Sequence, residues 1–180
     1  MITTFIAFGL LLSMLVITGL LFFWIYSTTL LPVFYHHGGP YVPTKMPIVE
    51  QMVRLAEIKP GMRVADLGSG DGRLVFAALK AGADQAVGYE INPWLVWRSR
   101  QTARRLGLQN RATFIRRSMF EAEVKDLNII FLYQLPNTML LLNDKLWREL
   151  PPGARVVSNG FKFKDWAPIK EEGPVRVYAK

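Results

Sequence analysis

Asp66-Leu67-Gly68-Ser69-Gly70-Asp71-Gly72-Arg73 joins two apolar runs of different period. Upstream, Arg63–Leu67 reads as a short strand with Asp66 near its end. Downstream, Leu74–Ala81 has helical spacing and stops at Gly82. Glycines at alternate positions between a strand and a helix leave the backbone bare, so a ligand can approach it without meeting a Cβ. The spacing excludes two ligand classes. A dinucleotide loop needs G-x-G-x-x-G, and counting from Gly68 the last glycine falls on Arg73. A phosphate-binding P-loop needs Gly-Lys-Ser/Thr, which does not follow.

The alternation continues on both sides of this loop. Before it, Ile48, Val49, Met52, Val53, Ala56 and Ile58 repeat at helical spacing, and Lys59-Pro60-Gly61 turns the chain. After it, Gln85–Glu90 reads as a second strand. Asn92-Pro93 then starts a helix to about Leu106, with Asn as N-cap and Pro at the first helical position. Ala112–Ile115 and Asn128–Tyr133 read as a third and fourth strand, the fourth apolar enough to be buried on both faces. Asn137 is expected to cap a helix through Leu150. Pro151-Pro152-Gly153 turns into a strand at Arg155–Ser158, and Val175–Ala179 reads as a last strand. Strands alternating with helices mean an α/β fold with a largely parallel sheet.

The 180 residues contain 22 Lys+Arg and 14 Asp+Glu, and none of these precedes Lys45. The part after Lys45 has the charge density of a soluble domain. Phe5 to Tyr26 carries no charge, and at ~1.5 Å per residue it is long enough to cross a ~30 Å hydrocarbon core. Nothing basic precedes this run, and it exceeds the apolar core of a cleavable signal peptide. We read residues 1–27 as a transmembrane anchor, 28–46 as a linker and 47–180 as the domain. Trp24, Tyr26 and Tyr35 suit an interfacial aromatic belt, and His36 and His37 suit the same boundary. All basic residues follow the anchor, which places the domain on the cytosolic side. Pro32, Gly38, Gly39, Pro40 and Pro43 break any helix in the linker. The chain has no Cys, which excludes disulfides, Cys-ligated metal centres and cysteine nucleophiles. No metal site is expected.

The pattern D-x-G-x-G-x-G at Asp66, Gly68, Gly70 and Gly72 resembles motif I of the class I S-adenosylmethionine (SAM)-dependent methyltransferases. That resemblance implies a Rossmann-like, mostly parallel sheet, here preceded by one transmembrane helix. It also implies that SAM lies over the loop formed by Gly68, Ser69, Gly70, Asp71 and Gly72. Asp66 would then engage the ammonium group of the cofactor. Glu90 ends the second strand, where an acid can hold both ribose hydroxyls by charge-assisted hydrogen bonds. Ile91 and Asn92 follow it. After the third strand, where the family usually carries Asp against the adenine amine, this chain has Ser118-Met119. Ser118 accepts a hydrogen bond without charge, and Ile91 and Met119 could flank the ring or belong to the core.

Pro40-Tyr41-Val42-Pro43-Thr44, Glu90-Ile91-Asn92-Pro93-Trp94 and Pro152-Gly153-Ala154-Arg155-Val156-Val157-Ser158-Asn159 resemble one narrower group. These are the small membrane-anchored protein-lysine methyltransferases of the ATP synthase c-subunit and the adenine nucleotide translocase, with their prokaryotic relatives. Two departures stand out, Ser118 in place of Asp and Tyr133-Gln134-Leu135-Pro136 in place of Phe-Gly-Val-Pro. The resemblance implies methyl transfer to a lysine amine of a membrane protein, with Tyr41, Thr44, Tyr133 and Gln134 as candidates for the acceptor pocket. No general base is evident.

The remaining basic residues leave alternatives open. Arg98, Arg100, Arg104, Arg105, Arg111, Arg116 and Arg117 form a run with no acid between Glu90 and Glu121. Such a run fits anionic lipid headgroups, nucleic acid or a solvated face. A nucleic-acid amino-methyltransferase usually carries Pro-Pro-aromatic after the fourth strand, whereas Pro136 is followed by Asn137-Thr138. The Arg98–Arg117 stretch is therefore read as facing lipid or the pocket rim. A methyltransferase for a membrane-bound quinone or lipid, and a non-catalytic SAM-binding protein, are the competing functions.

Overall fold

In a computed structural model, residues 2–26 and 39–180 are described. The chain divides into two units, Met1–His37 and Gly38–Lys180. The expected interfacial roles of Tyr35, His36 and His37, and the linker breakers Pro32 and Gly38, fall outside the described residues.

The first unit holds helix α1, Ile2–Ile25. Its window Phe8–Ile25 has a mean hydropathy of 2.4 and is fully unburied. By length and composition it can cross a bilayer.

The second unit contains α2 (Met46–Ala56), β1 (Arg63–Leu67), α3 (Arg73–Lys80), β2 (Gln85–Glu90) and α4 (Pro93–Arg105). It continues with β3 (Ala112–Arg116), β4 (Ile129–Leu132), α5 (Pro136–Glu149), β5 (Arg155–Asn159), β6 (Lys170–Glu172) and β7 (Val175–Ala179). The strands form one sheet in the order β3-β2-β1-β4-β5-β7-β6. β1 to β5 run parallel, and β7 is antiparallel to both β5 and β6. The order reverses direction at β1, where β2 lies on one side and β4 on the other. Ligands of open α/β sheets bind at that switch point, outside the carboxyl ends of the strands.

Side chains along the central strands alternate between two cores, as the period of two requires. Val64, Ile129 and Phe131 face the core shared with α2, α3 and α4. Ala65, Leu67, Ile130 and Leu132 face the core under α5. Both faces of β1 and β4 are thus covered, which explains the apolar runs in their sequences. Each such buried Val, Leu, Ile or Phe contributes about 1.5–3 kcal/mol to folding.

Two elements differ from the sequence reading. Asn137 is not the cap of α5. The helix begins at Pro136, with Leu135 in the cap position and no side-chain cap bond, so Asn137 lies inside the first turn. The fixed φ of proline suits the first helical position, and this outweighs the capping preference of asparagine. The second difference is β6, which the sequence reading lacks. Lys-Glu-Glu carries no apolar signal, because β6 is an exposed edge strand.

Candidate active site

The loop after β1 sits at the switch point and is fixed from several sides. The Gly68 and Ser69 amides donate to the Tyr89 carbonyl, both at 2.9 Å. The Glu90 carboxylate takes the Gly70 amide at 2.9 Å on one oxygen and the Asn92 amide at 2.8 Å on the other. Glu90 therefore ties the tip of β2 to the glycine loop and to the start of α4. Asn92 caps α4 as its sequence suggests, accepting from the Trp94 and Leu95 amides.

Three glycines of the loop combine a positive φ with no room for a Cβ, Gly72 against the Phe114 ring and the other two at the site itself. Gly68 has φ +93°, and a Cβ there would lie 2.2 Å from Gln134 Nε2. Gly70 has φ +52°, and a Cβ would lie 2.6 Å from the Tyr41 ring. Both the backbone conformation and the neighbours exclude a side chain.

Asp66 sits at the carboxyl end of β1 and is only 4% exposed. Its carboxylate accepts no hydrogen bond among the described residues. Burial pushes its pKa up to about 8, with the nearby Glu90 and Asp71 charges adding to the rise. A carboxyl group held this way is costly without a partner, and a cationic ligand would supply one. The Ser69 hydroxyl is likewise buried without a partner.

Asp71, expected at the cofactor, is paired with Arg73 in the structure. Burial alone would raise its pKa, but Arg73 holds the carboxyl below the usual range. Arg73 grips both Asp71 oxygens, at 2.8 and 2.6 Å, and donates to the Thr44 carbonyl at 2.5 Å. This clamp pins the Tyr41–Thr44 segment over the loop. The Tyr41 phenol is raised by burial and by the Asp71 charge, so it keeps its proton at neutral pH. It can donate a hydrogen bond, but it is no general base there.

Gln134 is buried just after β4 and donates from Nε2 to the Leu67 carbonyl at 2.9 Å. The structure thus gathers Tyr41, Gly68, Gly70 and Gln134 around one loop. Thr44 is buried and joins through its backbone. Tyr133 is partly exposed and borders Gly160 instead. Ser118 caps a single 3-10 turn at Met119–Glu121, its hydroxyl accepting from the Phe120 amide at 3.4 Å. Met119 is buried in the core under α5, with its methyl 3.5 Å from a Cβ on Gly68. Ile91 is partly buried beside Glu90. The sequence reading missed Arg73 as a clamp and Ser99, whose hydroxyl donates to the Gly70 carbonyl at 3.3 Å. The only signal for Ser99 was its place on the inward face of α4, which any small residue could fill.

Comparisons with known proteins identify the family. Residues 66–170 match the family described as the ANTKMT methyltransferase domain. The chain is 41% identical over 142 residues to the adenine nucleotide translocase lysine N-methyltransferase of Mus musculus, covering 78% of this chain and 62% of that protein. It is 40% identical over 142 residues to the ATP synthase c-subunit lysine N-methyltransferase of Homo sapiens, covering 78% and 60%. The chain thus spans less than two thirds of these curated relatives. Among solved structures, an RNA methyltransferase from Salinibacter ruber in complex with S-adenosyl-L-homocysteine superposes with a TM-score of 0.71 at 36% identity. That match covers 76% of this chain and 91% of the other.

Proposed function

The chain belongs to the ANTKMT methyltransferase family, and from that membership we propose that it transfers a methyl group from SAM to a lysine amine of a membrane protein. The observation that carries the cofactor assignment is Asp66. A buried carboxylate with no donor, beside a loop that excludes any Cβ, fits a ligand with a cationic amino group and a bare approach to the backbone. Asp66 would face the ammonium of SAM. Glu90, already oriented by the Gly70 and Asn92 amides, has lone pairs left for the ribose hydroxyls. Ile91 and Met119 would flank the base, with Ser118 at its polar edge. SAM supplies an activated methyl on its sulfonium.

The protein's part is to bind, orient and keep water out. Tyr41, held over Gly70 by the Asp71–Arg73 clamp, and Gln134, held on Leu67, would border the opening through which the acceptor enters, with Tyr133 beyond them. An acceptor lysine must arrive neutral, and burial in this opening lowers its pKa in that direction. No strong base is needed, and the Tyr41 hydroxyl oxygen can orient the amine by accepting one of its N–H groups, which leaves the amine lone pair free for the methyl.

The acceptor class is supported by the relatives, whose names identify lysines of the adenine nucleotide translocase and the ATP synthase c-subunit. Helix α1 as a single membrane anchor would bring the domain to such acceptors, and the charge distribution favours a cytosolic domain. Incubating membranes and purified protein with labelled SAM tests the reading. Label should appear in methyllysine of a membrane-protein band. Label in the organic extract instead would mean a lipid or quinone acceptor. Label in RNA would mean a nucleic-acid acceptor, and either result overturns the lysine assignment.

A further inference from the structure

Helix α4 carries a face that the cofactor site does not use. Leu95, Val96, Ser99 and Ala103 point inward. Trp94, Trp97, Arg98, Arg104 and Arg105 are exposed, the two tryptophans by 58% and 57%. Their separations of three, four and seven residues align them in one stripe. The Arg98 guanidinium lies 5.6 Å from the centre of the Trp94 ring.

The other arginines of this region divide by use. Arg100 donates to the Phe114 carbonyl at 3.0 and 2.6 Å, and Arg111 to the Asp84 and Ala83 carbonyls. Arg117 pairs with Glu123 at 3.2 Å. Arg98, Arg104 and Arg105 on α4, and Arg116 at the end of β3, meet no carboxylate among the described residues. No acid stands between Glu90 and Glu121 to offset them. Arg104 and Arg105 complement the negative end of the helix dipole, but that does not account for two exposed tryptophans beside them. Tryptophan favours the bilayer–water boundary, and clustered arginine favours anionic headgroups. The same chain carries a helix apolar enough to cross a bilayer.

We propose that the Trp94, Trp97, Arg98, Arg104 and Arg105 face of α4 docks onto an anionic bilayer surface. The indole rings enter the headgroup layer and the guanidiniums meet lipid phosphates. α4 starts three residues after Glu90, so this contact brings the mouth of the site to the lipid surface. That consequence rests on the methyltransferase reading, while the contact itself does not.

The chain has no cysteine, so Gln101→Cys places a single nitroxide on the stripe. Lys164→Cys, on the loop after β5, is the control. Each labelled full chain is reconstituted into vesicles of phosphatidylcholine alone or with phosphatidylglycerol. Relaxation by dissolved oxygen and by a water-soluble nickel chelate then reports the depth of the label. The label at 101 should move to the interface only in the anionic vesicles, and the label at 164 should stay in water. Arg98→Glu, Arg104→Glu and Arg105→Glu together should lower the docked-to-free ratio roughly a hundredfold or more, since each arginine is worth about fivefold. SAM calorimetry and circular dichroism on this triple variant should match the unchanged chain. A label at 101 that stays aqueous in both lipids, or a triple variant that docks normally, overturns the proposal. Immobilisation of the label by added RNA and not by lipid would assign the face to RNA and overturn it equally. Loss of SAM binding in the unchanged chain would sink the methyltransferase reading and leave these outcomes intact.

Discussion

Asp66 combines a cost and a use. Its carboxyl has a pKa near 8 in the folded protein against an ordinary 3.8, chiefly because it is buried. The folded state therefore favours the protonated form. This contribution to stability is full below about pH 4 and is lost as pH rises through 8. Asp66→Asn removes the ionisable group, so the variant should hold its melting temperature between pH 6 and 8 where the wild type loses stability. The same change should weaken SAM binding strongly, because the neutral amide can accept from the ammonium but carries no charge to pair with it. In the wild type, SAM has to draw the proton off Asp66. Affinity should peak near pH 8 and fall above it as the SAM amine itself loses its proton, with a net release of somewhat less than one proton per SAM at pH 7. Calorimetry in buffers of different ionisation enthalpy reads this directly. Binding without proton release would show that Asp66 is not the ammonium partner.

Asp66, the glycines and Glu90 were legible in the sequence because motif and spacing reported them together. Arg73 and Ser99 were not, since their roles depend on the fold bringing Thr44 and Gly70 to them. Asp71 was read as a cofactor contact because it lies inside the motif, and its pairing with Arg73 could not be read from the motif.

At the scale of elements, the six strands with apolar alternation or apolar runs were readable, and β6 was not. Lys170 and Glu172 make contacts to Glu57 and Arg54 of distant segments, which no local pattern announces. The start of α4 was readable to the residue, because Asn92 and Pro93 act locally. Asn92→Ala should cost about 1 kcal/mol through the two orphaned amides of the first turn. The same turn is tied to the cofactor site through Glu90 and the Asn92 amide. Weaker SAM binding should therefore accompany the lower melting temperature. Asn92→Asp, which keeps a cap, should recover the stability. An alanine variant with unchanged stability would mean that α4 is set by its packing alone.

Over the whole molecule, the structure divides between His37 and Gly38, so the last seven charge-free residues, Gly38 to Thr44, belong to the second unit. The second unit holds the complete sheet, and its switch point is built from its own residues. Deleting residues 2–25 should leave SAM affinity within about twofold, since every residue assigned to the cofactor lies in the second unit. It should release the domain from membranes washed in alkaline carbonate and sharply reduce methylation of membrane-bound acceptors. Full methylation by the shortened chain would show that α1 is dispensable for reaching the substrate.

Mass analysis of lysine peptides from the membrane proteins of cells with and without this gene bears most directly on lysine methylation. A membrane protein should lose methyl increments on a lysine when the gene is absent. The unchanged chain should restore them, and the Asp66→Asn variant should not. Identical lysine methylation in the two sets of membranes, or restoration by the Asp66→Asn variant, would contradict the account.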